Sequence, residues 1–416
     1  MKTHTFSTIY LLLISTVAIA DWPQFRGPTQ QGHSDAKGLP FEWGPEKIVA
    51  WKVAVPGKGW SSPVVVSGRI YLTTAIAEGE GTKPDQSLRT ICIDAKNGQT
   101  IWDREVIRQP GAEVPNIHGK NSQASATPTV EGRRVFVHFG HFGTACLNAN
   151  DGSIIWTNRE LKYAPVHGNG GSPVLHDGKL IFLIDGTDRQ EIVALDAESG
   201  KVAWRTPRLS NPKKAFSFST PLITELNGTT QLIAVGSDVV MSLDPTNGKE
   251  IWRVAFSGYS IVPRPVAGNG FVYLSTGYDN ARLLALKPTG GTGDLTDSAI
   301  AWKAEKNAPY NPSMILADGL LYAVSDSGIA SCWEAETGMV VWSERVPDKY
   351  TSSILFAEGR LYLHSETGTT TVLKAGRTFE ILATNKLDER TLSSFAVEGK
   401  AILIRTEKNL FRIENK

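Results

Sequence analysis

The chain has 416 residues, 41% of them hydrophobic and 20% charged, and this composition supports a large packed core. Its 43 basic and 42 acidic residues leave a formal charge of +1. Nucleic acids and anionic membrane surfaces attract basic stripes, and the sequence has none, so we expect no nucleic-acid partner. The 39 glycines and 22 prolines are spread along the chain, which indicates many short strands joined by turns.

Residues 1–20 have the pattern of a signal peptide. A basic Lys2 precedes an apolar run, and Ala18-Ile19-Ala20 has the small-x-small form that signal peptidase cuts. The run is shorter than the roughly 20 apolar residues of a membrane-spanning helix, so no integral membrane segment is expected after cleavage. We therefore predict a periplasmic or secreted protein, cleaved near Ala20, with residues 21–47 as an N-terminal extension.

An Asp-to-Gly turn followed by a tryptophan recurs along the chain, with 40 to 54 residues between tryptophans. This period is typical of a four-stranded propeller blade. The Asp is expected to cap the turn, the Gly to supply a positive φ, and the Trp to dock between blades. The residues of the repeat are Asp94, Gly98 and Trp102; Gly152 and Trp156; Asp196, Gly200 and Trp204; Asp244, Gly248 and Trp252; Gly338 and Trp342; and Trp302, which ends an interrupted copy.

A second element, a hairpin with period-two alternation, occurs eight times, beginning at Ser62-Pro63 and ending at Ser393-Ser394. The last hairpin lacks an outer strand. The segment around Trp51 has the right spacing to supply it, and this pairing would protect an open sheet edge. The sequence thus predicts an all-β, eight-bladed propeller over residues 48–416, closed by its N-terminal strand and monomeric.

The three cysteines, Cys92, Cys146 and Cys332, occupy equivalent positions in different repeats. Equivalent positions of separate blades lie too far apart for a disulfide, which needs Cα atoms within about 7 Å. We therefore predict three buried free thiols.

One face of the propeller is expected to carry tight turns such as Ser67-Gly68 and Asp177-Gly178 (the tight-turn face). The other carries long segments at residues 74–89, 103–126, 157–171, 205–219 and 253–263 (the long-loop face), where binding usually lies. The first residues of the innermost strands should crowd the channel mouth there and line a ligand site. Alternatively, the aromatics plug the channel and Arg264 pairs with a local carboxylate. The predicted ligand-binding residues are Trp60, Asn121, His167, Asn169, Tyr259, Arg264, Tyr310 and Tyr350, beside Phe216 and Phe218.

The sequence contains no recognisable catalytic or metal-binding motif. His138 and His141 flank a Gly-containing turn, with His118 and His167 on nearby loops, but no His-x-x-x-His or paired-Cys spacing supports a metal site. No nucleophile elbow, phosphate loop or paired-carboxylate motif is present. We predict no catalytic residue and no metal ligand.

The run Ala-x-Asp-x-x-x-Gly-x-x-x-Trp, as at Ala194, Asp196, Gly200 and Trp204, resembles the tryptophan-docking motif of the pyrroloquinoline-quinone (PQQ) repeat superfamily. That superfamily includes quinoprotein alcohol dehydrogenases, which hold PQQ and Ca²⁺ on the propeller axis, and the outer-membrane assembly factor BamB, which has no cofactor. Residues 22–28 (Trp-Pro-Gln-Phe-Arg-Gly-Pro) and 167–173 are similar to exported PQQ-like proteins of planctomycete-type bacteria.

The dehydrogenases of this superfamily carry an adjacent Cys-Cys disulfide and a Glu, an Asn and an Asp around Ca²⁺. This chain has no Cys-Cys, and no motif places the other three residues. Because a fold does not transfer chemistry, we expect no cofactor. The leading hypothesis is a non-catalytic binding or scaffolding propeller of the bacterial envelope, with an envelope protein or a small polar ligand as partner. The alternatives are an oxidoreductase dependent on PQQ or another cofactor, and a carbohydrate-binding propeller.

Overall fold

The computed structural model describes residues 21–45 and 47–415. The predicted signal peptide, residues 1–20, lies outside the described residues. Within the described ranges, no helix combines the length and the apolar character needed to cross a membrane.

Eight antiparallel four-stranded sheets form the blades of a propeller, which confirms the predicted fold class. Each blade runs from an innermost strand at the channel to an outermost strand at the rim. The strands of blades 1 to 4 are β3 (Val64–Val66), β4 (Arg69–Glu78), β5 (Asp85–Asp94) and β6 (Thr100–Gln109); β7 (Thr129–Glu131), β8 (Arg134–His138), β9 (Thr144–Asn148) and β10 (Ile154–Asn158); β11 (Val174–His176), β12 (Lys179–Asp185), β13 (Gln190–Asp196) and β14 (Val202–Pro207); β15 (Leu222–Leu226), β16 (Thr229–Gly236), β17 (Val239–Leu243) and β18 (Glu250–Ala255).

Blades 5 to 8 follow the same order, and blade 8 takes its outermost strand from the N-terminal part of the chain. Their strands are β19 (Val266–Gly268), β20 (Phe271–Ser275), β21 (Leu283–Leu286) and β23 (Ile300–Ala304); β24 (Ile315–Ala317), β25 (Leu320–Val324), β26 (Ile329–Glu334) and β27 (Val340–Arg345); β28 (Leu355–Ala357), β29 (Arg360–His364), β30 (Thr369–Lys374) and β31 (Ile381–Lys386); β32 (Ala396–Glu398), β33 (Ala401–Arg405), β34 (Asn409–Glu414) and β2 (Val49–Ala54). Two short strands, β1 (His33–Ser34) and β22 (Gly293–Asp294), and two single 3-10 turns, Gly111–Glu113 and Gly140–Phe142, complete the elements.

The ring closes where β2 pairs antiparallel with β34, in the register Lys52 to Phe411. Trp51 lies on β2 and donates its indole N–H to the carbonyl of Ala95 in blade 1, at 3.1 Å. The predicted closure by the N-terminal strand is therefore confirmed, and β2 covers the edge that β34 would otherwise leave unpaired.

The repeat tryptophans join each blade to the next one along the chain. Five of them donate the indole N–H to a backbone carbonyl in the motif turn of the following blade. These bonds are Trp51 to Ala95 and Trp102 to Ala149 at 3.1 Å, Trp156 to Ala197 at 3.0 Å, and Trp302 to Ala335 and Trp342 to Gly376 at 2.9 Å.

The tryptophan of the preceding blade packs directly against the glycine of the motif. Gly200 has a φ of +71°, and a Cβ built on it would lie 2.5 Å from Cε3 of Trp156 in the preceding blade. Asp196 accepts the backbone N–H of Ser199 at 2.8 Å and so closes the turn, as predicted. The glycine is thus needed twice, for its backbone conformation and for the close approach of the indole.

Three seams depart from this pattern. Trp204 packs on Gly248 of the following blade, but its Nε1 is buried without a hydrogen-bond partner among the described residues. Trp252 donates to Oε1 of Gln231 in its own blade at 2.9 Å, and β22, from the insertion after β21, pairs in parallel with β18 beside it. In blade 7, which lacks the repeat tryptophan, Trp43 of the N-terminal extension packs on Tyr362 with ring centroids 6.4 Å apart. The N-terminal extension therefore supplies an indole where the repeat has lost its own.

The three cysteines are buried and unpaired, as predicted. Burial raises the pKa of Cys92, Cys146 and Cys332 to about 12. Such thiols are protonated at neutral pH and act as small apolar side chains.

A ring of hydroxyl groups encircles the channel just before the innermost strands. In seven of the eight blades a Ser or Thr accepts a backbone N–H from the neighbouring blade, and Arg264 occupies the eighth place. The bonds, at 2.9 to 3.1 Å, run from the N–H of Ser62 to Thr127, Thr127 to Ser172, Ser172 to Thr220, Arg264 to Ser313, Ser313 to Ser353, Ser353 to Ser394 and Ser394 to Ser62.

Residues 22–34 (the channel segment) lie inside the channel, against the innermost strands. The segment begins at Trp22, whose backbone pairs with Val65, and ends at β1, which pairs in parallel with β28. Between these points Gln30 and Gln31 use their Oε1 atoms to accept the backbone N–H groups of Ile223 and Ala267. The channel is therefore filled by a segment of the chain, and not by the aromatic side chains that the alternative proposed as a plug.

We predict that Gly200→Ala destabilises the protein more than Gly178→Ala. Both glycines have nearly equal φ, +71° and +69°, but a Cβ at Gly178 meets nothing within 4 Å. The shared backbone cost is about 1–2 kcal/mol, and displacing the indole adds about 2 kcal/mol more, a part of the 3–5 kcal/mol for losing a buried Trp. Thermal or urea unfolding of the two variants measures the difference, and equal midpoints would contradict the role given to Trp156.

Candidate functional site

The structure divides the eight predicted ligand-binding residues between the mouth and the interior. His167 is exposed at the mouth, and Asn121, Asn169, Tyr259 and Tyr310 are partly exposed there. Two others are buried: Trp60 is 6% exposed and Tyr350 is 0% exposed. Trp60 instead packs beneath the guanidinium of Arg390, 5.1 Å from its ring centroid.

Arg264 lies inside the channel and not at the mouth, so its predicted placement is wrong. Its side chain is fully buried. Nη1 donates to the carbonyl of Phe25 at 2.9 Å, and Nη2 donates to Oε1 of Gln30 and to the carbonyl of Pro221. Arg264 does not pair with a local carboxylate either, although the alternative predicted this pairing. Arg264 anchors the channel segment by its carbonyls, and the burial lowers its pKa well below the ordinary value.

Six aromatic rings, from the loops of blades 2 to 6, follow one another around the mouth (the aromatic arc). They are His118, His167, Phe216, Tyr259, Tyr278 and Tyr310, with successive centroids 5.7, 5.4, 5.5, 6.3 and 5.5 Å apart. Their interplanar angles, from 55° to 83°, are those of edge-to-face packing, which aromatic side chains favour. Each ring comes from a different loop, so the arc exists only because the propeller brings those loops together.

Polar groups hold two rings of the arc in place. The Nδ2 of Asn121 donates to the backbone carbonyl of His167 at 2.8 Å. The hydroxyl of Tyr259 donates to Asp279 and accepts a hydrogen bond from Nζ of Lys214. The pKa of Asp279 is lowered, first by the hydrogen bond from Tyr259 and second by the one from Lys214. Lys214 also lies 4.1 Å from the centroid of the Tyr259 ring.

A charged pair lies beside the arc and reaches blade 7. Lys120, from the segment that leads into blade 2, reaches blade 7 and pairs with Glu366 at 2.6 Å. Thr351 donates to the same carboxylate at 2.7 Å. Burial by itself would raise the pKa of Glu366, but the bonds from Lys120 and Thr351 outweigh it and lower the pKa. The mouth thus carries the aromatic arc and, next to it, the Lys120–Glu366 pair.

The four histidines considered for a metal site do not converge. His138 is buried, with its Nδ1 2.8 Å from Oγ1 of Thr144, and His141 packs on Phe142 with centroids 3.9 Å apart. His118 and His167 belong to the aromatic arc. Across residues 21–45 and 47–415, no three side chains of His, Cys, Asp or Glu are grouped as metal ligands.

Sequence reasoning missed Tyr278 and gave His118 no place in the ligand site. Tyr278 is 54% exposed and lies between β20 and β21, not in a segment that precedes an innermost strand. The available signal was its position in Gly277-Tyr278-Asp279-Asn280, a turn on the same face as the long segments.

Eight blades, tryptophan seams and a loop-lined mouth define a PQQ-like, tryptophan-docking β-propeller. A family model described as outer membrane protein assembly factor BamB matches residues 89–344 and 293–407, and the chain belongs to this family.

Individual relatives point to two kinds of protein. BamB of Yersinia pestis is 26% identical over 312 residues, which cover 70% of this chain and 70% of that protein. The BamB structure from Moraxella catarrhalis shares the fold, with a TM-score of 0.62 at 13% identity over 88% of this chain and 97% of that one. A quinohemoprotein alcohol dehydrogenase of Pseudomonas putida is 24% identical over 288 residues, 62% of this chain but 40% of the dehydrogenase.

We predict that acid destabilises the protein through buried neutral histidines. Burial lowers the pKa of His138 and of His364 to about 3. Below pH 6.5 the unfolded chain takes up protons that the folded chain does not, so the free energy of unfolding falls as pH falls toward the folded pKa. Each histidine should cost about 2 kcal/mol between pH 6.5 and 5.

The measurement is urea unfolding across this pH range. The double variant His138→Leu with Thr144→Val removes a titrating group and its partner together, and the dependence on pH should become shallower by one histidine. His118→Gln, at the exposed mouth, is the control for loss of a histidine. An unchanged slope in the double variant would count against a buried neutral His138.

Proposed function

We propose that this protein is a non-catalytic propeller of the bacterial cell envelope, and that it binds an extended segment of a partner protein on the mouth of its long-loop face. The aromatic arc is the observation that carries the proposal. Exposed, well-packed aromatic rings are the side chains that most often anchor protein interfaces, because they bury much area at little cost in conformational entropy.

The shape of the mouth favours a protein segment over a small molecule. The channel segment occupies the axis below the arc, so a ligand lies across the mouth and not deep in the channel. The pair of Lys120 and Glu366 offers a polar rim beside the aromatic anchors, which is the usual anatomy of a protein interface. A single bound chain can contact both the arc and this pair.

The family supports an envelope location. The matched description and the relative from Yersinia pestis are both outer membrane protein assembly factors. The signal-peptide pattern of residues 1–20 agrees with export. A scaffolding role in the envelope, without chemistry of its own, is consistent with both.

An oxidoreductase is the second candidate, since the dehydrogenase of Pseudomonas putida also matches. On the axis of this propeller, however, Arg26 and Arg264 bind backbone carbonyls and Gln30 of the channel segment. At the mouth, Glu366 and Asp279 are already paired with Lys120 and Lys214. Such a set of side chains does not fit Ca²⁺, which takes six to eight oxygen ligands.

The test compares protein capture by wild type and by the double variant Phe216→Ser with Tyr278→Ser. We expect at least a tenfold loss of the captured envelope partner, about the effect of removing aromatic anchors from an interface. The control is Met339→Ser with Val340→Ser, which removes apolar side chains that are 66% and 61% exposed on blade 6. Full capture by the arc variant would reject the mouth as the binding face.

The alternative has its own measurement. Calorimetric titration of the mature protein with PQQ, with and without Ca²⁺, should show no binding. Tight, Ca²⁺-dependent binding would overturn the non-catalytic proposal and favour the dehydrogenase class.

A further inference from the structure

Four arginines are fully buried in this protein: Arg26, Arg208, Arg264 and Arg405. Arg208 is paired with the carboxylate of Asp185 at 3.0 Å. The other three have no carboxylate within 4.0 Å among the described residues, and their donors go mainly to backbone carbonyls. A buried charge without a counter-charge costs several kcal/mol.

Two of these charges share the channel. Arg264 binds the carbonyl of Phe25, which directly precedes Arg26 in the channel segment. Burial lowers the pKa of Arg26 to about 9, and burial and then the nearby charge of Arg26 lower that of Arg264. The channel therefore holds two like charges whose repulsion an anion would relieve.

A small cavity of about 10 Å³ lies beside Arg26. Its lining includes Trp22, Arg26, Ser353 and Ser394. Nε1 of Trp22 and both Nε and Nη1 of Arg26 are buried without a hydrogen-bond partner in the protein. The hydroxyl oxygens of Ser353 and Ser394 each accept a backbone N–H, which leaves their protons free to donate.

The indole and the guanidinium can only donate, and the two hydroxyls have a proton to donate in addition to the N–H that each accepts. A water molecule in such a cavity accepts two of the bonds but also needs acceptors for its own hydrogens, and it brings no charge. A monatomic anion accepts from every direction and neutralises the guanidinium, whereas a phosphate or carboxylate is too large for the space. Unsatisfied donors next to an uncompensated charge therefore select a halide.

We propose that the cavity formed by Trp22, Arg26, Ser353 and Ser394 is a binding site for a chloride ion. The ion accepts from the indole and guanidinium of the channel segment and from the hydroxyl ring of blades 7 and 8. It thus links the channel segment to the propeller and serves as counter-ion to Arg26 and, through space, to Arg264. Chloride then stabilises the folded state by mass action, since the site does not exist in the unfolded chain.

The experiment follows the melting temperature of the mature protein while sodium chloride replaces sodium gluconate at constant ionic strength. We expect the melting temperature to rise and then saturate as chloride increases. Trp22→Phe removes one donor and keeps an aromatic ring, and it should weaken the apparent chloride affinity about tenfold, the usual effect of losing a hydrogen bond to a charged group. Arg345→Met is the control, because Arg345 is an exposed guanidinium that donates to a single carbonyl.

Crystals of the wild-type protein grown in sodium bromide give a readout that does not depend on a variant folding. An anomalous peak within hydrogen-bond distance of Nε1 of Trp22 and of Arg26 is the expected result. Water density in the cavity, or a melting temperature that is the same in chloride and gluconate, would overturn the proposal. A bromide peak without any chloride dependence of melting would also overturn it, since the ion would then be adventitious only.

Discussion

The contact between a tryptophan and a glycine of the next blade is the constraint on which this structure depends. A four-stranded blade cannot bury its own faces, so it is stable only when neighbours cover them. The indole of Trp156 rests on Gly200 and donates to the carbonyl of Ala197, and this joins two blades by packing and by a hydrogen bond at once. Where the repeat loses its tryptophan, as in blade 7, Trp43 of the N-terminal extension fills the place. The tryptophan contacts between blades therefore hold the ring of blades together and also fix the path of the N-terminal extension.

A second set of contacts between blades lies around the propeller axis. Seven hydroxyls link the blades in a ring around the channel, and Arg264 interrupts that ring to hold the channel segment. Because the segment fills the axis, the long-loop face presents a rim and not an open channel. The aromatic arc and the Lys120–Glu366 pair occupy that rim, and it is there that we propose a partner binds.

The mouth could be predicted only in part from the sequence. Residues in the segments before an innermost strand, such as His167, Tyr259 and Tyr310, lie at the mouth, since blade geometry converts their spacing into position. Arg264 follows the same spacing, yet it points into the channel because the carbonyls of Phe25 and Pro221 need a donor there. No local pattern could reveal that need, as Phe25 is 239 residues away in the sequence. Tyr278 belongs to a short loop within a blade, whereas the sequence pattern assigned binding to the long segments.

The sequence by itself determined the repeat, the number of blades, the closing strand with Trp51 and the burial of the three cysteines. Each of these follows from spacing and local chemistry, because a blade reads as one period of alternating strands and a turn. Only the tertiary structure decided that residues 22–34 fill the channel, that Arg26 and Arg264 lie there without carboxylates, and that six rings form one arc. Those features depend on contacts between segments far apart in the chain, and such contacts leave no periodic signal in a single sequence.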